Sequence, residues 1–144
     1  MSLMYMLFAV IGGICIAVQA GVNGMMGKQV GSIEASFVSF LIGTVALFLC
    51  MIFLGKGNPL HVLNLPKWQL TGGLLGAVYV FISVTMTPKL GVATTILAII
   101  FGQMAASTLI DHYGLISGKH IPIDWRRAAG LVCLGAALIL FYKK

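Results

Sequence analysis

Acidic residues are almost missing from this sequence. Glu34, Asp111 and Asp124 are the only three among 144 residues, and charged residues of both signs make up just 8%. A soluble domain normally carries about 25% charged residues, so a molecule wetted on all sides is excluded. Proline is scarce too: Pro59, Pro66, Pro88 and Pro122 fall outside the long apolar runs, where they cannot break an intramembrane hydrogen-bond ladder. Cysteine is limited to Cys15, Cys50 and Cys133, each inside an apolar run. That pattern offers neither a disulfide framework nor a metal-ligand spacing, and it makes them small packing residues. His61, His112 and His120 lie between the runs with no partner at metal-ligand spacing. Nothing forms a nucleophile elbow or a phosphate loop, so the expectation is no enzyme, no cofactor and no metal.

What the chain has is hydrophobic length. Apolar residues make up 60% of it, and mean hydropathy is +1.06. A bilayer core about 30 Å thick needs about 20 helical residues. Runs at 3–22, 33–54, 70–87, 92–110 and 128–142 come up to that length or close to it. The expected fold class is therefore an all-α integral membrane protein, a single transmembrane domain over 1–144 with about five helices. Nothing basic precedes the first run, and it is long for the apolar part of a signal peptide, so it reads as the first span. Ser32 is expected to cap the second helix, with Glu34 in its first turn, and Asp124 to cap the fifth. Trp68, Trp125 and Tyr142 adjoin Lys67, Arg126 and Lys143, as interfacial anchors should. Residues 87–91 form a short connection between the third and fourth spans.

The net charge is +6, but the basic residues lie singly or in pairs in the connections. No basic helix face or aromatic-basic array appears, so nucleic acid is not expected as a partner. The partner is the lipid bilayer, and these residues anchor the chain at its surface. With five crossings, Lys56, Lys67, Lys119, Arg126 and Arg127 fall on one side, and Lys28, Lys89, Lys143 and Lys144 on the other. An excess of Lys and Arg in cytoplasmic loops normally fixes orientation. Here the bias is a single charge, which predicts insertion in both orientations. The chain has no internal repeat, and an odd number of spans puts its termini on opposite sides. A symmetric pore or transporter would then need a second, opposed copy, an antiparallel homodimer.

Polar residues inside the spans are informative because a buried amide or hydroxyl is costly without a partner. In the first span Gly12, Ile16, Gln19 and Asn23 share one helix face, and in the fourth Ile99, Gln103, Ser107 and Asp111 recur every four residues. The second offers Ser36, Ser39, Gly43 and Thr44; the third offers Gly76, Tyr79, Ser83 and Thr87 on one stripe. Two readings stand side by side: these groups line a shared cavity, or they only bond neighbouring helices. The candidate substrate-binding or translocation residues are Gln19, Asn23, Ser36, Ser39, Tyr79, Ser83, Gln103 and Ser107. Glu34 and Asp111, at span ends, are candidates for coupling or gating; otherwise Glu34 is a helix-start carboxylate and Asp111 the partner of a nearby Lys or Arg. The fifth span presents Ala129, Gly130, Cys133, Ala136 and Ala137, a smooth surface suited to close packing or dimerisation.

Several phrases carry a family resemblance. They are Gln19-Ala20-Gly21-Val22-Asn23 followed by Gly27, the run from Ala35 to Thr44, Gly73 to Val80, Pro88-Lys89-Leu90-Gly91-Val92, and Gly102-Gln103-Met104-Ala105-Ala106-Ser107 running into Ile110-Asp111-His112-Tyr113-Gly114-Leu115. Together they resemble the YdcZ-type family of the drug/metabolite transporter superfamily over nearly the whole chain. The resemblance implies a multi-pass protein of the bacterial inner membrane, half the size of ten-helix relatives built from inverted five-helix repeats. Members are described as exporters and occur as single, paired or fused copies. The small multidrug resistance branch relies on a first-span Glu; this chain has Gln19 there instead. The expectation is a small-molecule exporter working by alternating access as an antiparallel homodimer. A small dual-topology ion channel and a non-transporting subunit of a larger complex are the alternatives.

Overall fold

The computed structural model describes residues 2–116, 118 and 120–142. Lys119, Lys143 and Lys144, three of the charges sorted above, lie outside the described residues. The fold is all-helical, with no strand among the described residues: α1 (Ser2–Val30), α2 (Ser32–Leu54), α3 (Thr71–Leu90), α4 (Val92–Tyr113) and α5 (Trp125–Tyr142). All five helices are long and apolar enough to cross a membrane. Two short 3₁₀ helices, Pro59–Asn64 and Lys67–Leu70, lie between α2 and α3. The chain divides into two compact units, Met1–Pro88 and Lys89–Lys144.

The helices overrun the expected spans. α1 has 29 residues, about 43 Å at about 1.5 Å per residue, so Asn23 and Lys28 are helical. α3 continues through Pro88 to Leu90, which corrects the expectation that every proline lies outside a helix. Pro88 cannot donate to the Val84 carbonyl and its ring crowds that carbonyl, and α3 ends two residues later. The connection expected at 87–91 reduces to Gly91.

In the first unit, Gly31 alone joins α1 to α2. Its φ of 103° is a conformation that glycine adopts at little cost. Its N–H donates to the Gly27 carbonyl, and its own carbonyl accepts from Ala35, so this one residue closes the last turn of α1 and opens the first turn of α2. Gly31, not Ser32, is the N-cap of α2, and no side chain caps it; Ser32 has already entered the helix. Glu34 does sit in the first turn, where the helix dipole favours a carboxylate. The core is small: Ala20 of α1, Ala35 of α2, and Val80 and Val84 of α3 are buried, with Met26 and Tyr79 packed against the last three. Small residues let α1 and α3 approach closely, for a Cβ placed on Gly27 would stand 2.5 Å from Cγ1 of Val84.

In the second unit α4 and α5 pack on each other. α4 begins after Gly91, with φ 81°, and ends at Gly114, a left-handed C-cap with φ 61°. Leu115 N–H donates back to the Ile110 carbonyl, as in a Schellman ending. Asp124 caps α5 as expected: its Oδ1 accepts from the Arg127 N–H at 2.9 Å. The outer surfaces of the helices carry large apolar side chains such as Phe8, Phe48, Phe53, Leu74 and Leu140, which suits contact with acyl chains. Cys15, Cys50 and Cys133 are exposed, so they face outward and do not serve the packing role expected of them.

Candidate functional site

The first unit concentrates polar groups at one seam. Ile16, Gln19, Ala20 and Asn23 of α1 face Tyr79, Val80 and Ser83 of α3 across a crevice too tight to hold a water molecule. The α1 residues follow the i, i+3, i+4, i+7 pattern of one helix face. Asn23 and Ser83 are buried, at 6% and 4% exposure. Asn23 Nδ2 donates to the Ser39 hydroxyl on α2 at 2.9 Å, so one amide ties the third side of the seam. Five of the residues singled out from sequence (Gln19, Asn23, Ser39, Tyr79 and Ser83) thus come together. Just below them Gly24 meets Thr87, with 2.9 Å between a Cβ placed there and Thr87 Cγ2. The Thr87 hydroxyl is buried without a partner, the one such side-chain atom among the described residues.

Ser36 and Glu34 stand apart from that seam. The Ser36 hydroxyl donates to the Ser32 carbonyl at 2.6 Å, which uses its polarity inside α2. It borders an apolar groove of about 480 Å³ between α2 and α3, walled by Ile33, Phe37, Phe40, Ala77, Val78 and Phe81. Glu34 is exposed, with its carboxylate folded back beside Gly31.

The second unit holds a different arrangement. Met104, Ser107, Thr108 and Asp111 on α4 face Arg127, Gly130, Leu131 and Leu134 on α5 across a cavity of about 440 Å³. Each set repeats i, i+3, i+4, i+7, so one complete face of each helix builds a wall. Arg127 Nη1 reaches Asp111 Oδ2 at 3.3 Å, with the two side chains 36% and 40% exposed. Ser107 and Thr108 both donate to the Met104 carbonyl, at 3.2 and 2.7 Å, leaving their oxygens as acceptors only. Gln103 is exposed on α4 and does not line this cavity; the lining face shares Ser107 and Asp111 with the stripe expected through Ile99, Gln103, Ser107 and Asp111, and adds Met104 and Thr108.

Sequence reasoning missed Arg127 as a site residue. The available signal was the pair of i, i+3, i+4, i+7 faces that end in opposite charges on either side of one loop. It also placed His112 in a loop, whereas His112 lies in the last turn of α4. Its Nδ1 accepts from the Ile123 N–H at 3.3 Å, and its ring stands 5.3 Å from that of His120. Among the described residues, no three His, Cys, Asp or Glu side chains gather as a metal site.

Five helices long and apolar enough to cross a membrane define a small multi-pass α-helical membrane protein. More particularly, the chain belongs to the family described as "Putative inner membrane exporter, YdcZ", whose model matches residues 4–140. It is thus a multi-pass protein of the inner membrane. No curated protein matches the chain, and no solved structure does.

Proposed function

We propose that the chain exports a small molecule by alternating access, as an antiparallel homodimer of dual-topology subunits. The observation that carries this reading is the convergence of Gln19, Asn23, Tyr79 and Ser83 on one tight seam, with Ser39 bonded to Asn23. Polar side chains are costly within a bilayer and mark translocation paths when they cluster. The tightness of the seam fits an occluded conformation, which must part for a solute to pass. Ser36, Gln103 and Ser107 are assigned to the wider polar lining. Asp111, already paired with Arg127, is the stronger candidate for gating, and Glu34 the weaker. Opposed copies would supply the inverted repeat that one chain lacks, and the near-even division of Lys and Arg supports insertion both ways.

Flux in liposomes reconstituted with the purified protein tests the transport reading. Saturable counterflow of a solute is expected; electrodiffusive flux far above carrier turnover would replace the exporter with a channel, a reading favoured by the net charge of +6. No flux for any solute class would favour a subunit of a larger complex. Fusions at the C-terminus with reporters that detect each face test orientation. Signal from both faces is expected, and signal from one face alone would overturn dual insertion.

A further inference from the structure

The α4–α5 cavity combines three features that together specify a ligand. Its mouth carries one carboxylate and one guanidinium, Asp111 and Arg127, in a single contact of 3.3 Å. Behind them the walls become apolar: Met104 and Leu134 lie seven residues from the pair on their own helices, about 10 Å deeper at about 1.5 Å per residue. Between the two zones sit the Ser107 and Thr108 oxygens, whose protons are already committed to the Met104 carbonyl.

We infer that this cavity binds an amphiphilic zwitterion of amino-acid size, its ammonium on Asp111, its carboxylate on Arg127 and its apolar side chain along Met104, Leu131 and Leu134. As a statement about cargo this rests on the exporter reading; as a binding site it does not. The charge arithmetic selects the class. A cation taking Asp111, or an anion taking Arg127, gains one charge contact and gives up the existing one, so its net gain is small. A zwitterion replaces one ion pair with two. The existing pair is a single half-exposed contact, worth about 1 kcal/mol or less, so opening it is cheap. Acceptor-only oxygens at Ser107 and Thr108 suit an ammonium donor. Among the neighbouring groups, Asp124 accepts from the Arg127 backbone N–H as the cap of α5, Arg126 lies over the Trp125 ring at 5.9 Å, and His112, whose Nδ1 accepts from Ile123, stands beside His120. The volume of about 440 Å³ falls within the range of small-molecule pockets.

The test is thermal stabilisation of the purified full chain in detergent by leucine, by leucinamide, which keeps only the cation, and by N-acetyl-leucine, which keeps only the anion. A ligand that binds the folded state alone raises the apparent melting temperature. Leucine is expected to give a saturable upward shift, with half-saturation about tenfold or more below that of either analogue. Asp111→Asn and Arg127→Gln should each abolish the preference. Because either variant can fail by misfolding, the exchange Asp111→Arg with Arg127→Asp is the control. It keeps the pair and should keep leucine binding. Equal shifts from a single-charge analogue, no shift from leucine, or an undiminished shift in Asp111→Asn would each overturn the inference. Since the readout is binding, liposome flux that persists without any leucine shift sinks only this site, whereas a leucine shift without flux sinks only the exporter reading.

Discussion

Asn23 and Ser39, sixteen residues apart and on different helices, are joined by a hydrogen bond of 2.9 Å from the amide Nδ2 to the hydroxyl. The bond crosses from α1 to α2 at the point where α3 closes the seam. It holds a four-site amide in one orientation inside a membrane-spanning bundle.

Replacing Asn23 by Leu removes that bond and the polar surface of the seam together. An interhelical hydrogen bond in a membrane protein is worth about 1 kcal/mol or less, so the melting temperature in detergent should fall only slightly. Transport in liposomes should be lost. Full transport by a folded Asn23→Leu protein would mean that the amide only holds helices together.

Gly27 tests the close approach of α1 and α3. A Cβ there would stand 2.5 Å from Val84 Cγ1, so Gly27→Ala should destabilise by about 1–3 kcal/mol, as overpacking does. Val84→Ala removes the obstructing methyl groups and should recover part of that loss in the double variant. Simple additivity of the two changes, measured by chemical or thermal unfolding, would contradict the contact.

Gly31 carries the corner between α1 and α2 at φ 103°. Any other residue is strained there by about 1–3 kcal/mol, and a Cβ would also collide with the folded-back Glu34 carboxylate. Gly31→Ala should therefore lower folded yield and melting temperature. Gly12→Ala, where a Cβ meets nothing within 4 Å, is the matched control and should be neutral or mildly stabilising.

Asp124 offers a test at the start of α5. Its carboxylate accepts from the Arg127 N–H, and loss of an N-cap costs about 0.5–2 kcal/mol. Asp124→Ala should reduce stability by that amount, while Asp124→Asn, which keeps an acceptor, should remain close to the parent. Equal losses in both variants would assign the effect to charge and not to capping.

The spans were legible because a bilayer imposes length and apolarity on every helix, and these are properties of local sequence. Helix ends were less so. α1 continues beyond Val22 because Asn23, Lys28 and Gln29 are polar but competent helix residues, and hydropathy does not distinguish a polar helix turn from a loop. Pro88 misled for a related reason, since it marks the end of α3 from inside the last turn and not from beyond it. The first-unit seam was readable as polar stripes on α1 and α3, although the partner of each group was not. Gln103 lies off the face that lines the α4–α5 cavity, because a stripe at a spacing of four drifts around the helix, and the face α4 turns to α5 is set by packing. Arg127 escaped notice because a basic residue beside a tryptophan at a span edge has a sufficient explanation in surface anchoring.

The corner at Gly31 also has a practical side. With one residue between them, α1 and α2 are tied at a corner without slack, and neither can slide along the other without deforming it. Labels, affinity handles or an inserted fluorescent domain placed there would sever the lever they were meant to report on. The stretch from Gly55 to Pro66, with its exposed backbone and short 3₁₀ turn, is the place in the first unit where the chain can be opened and something else sewn in.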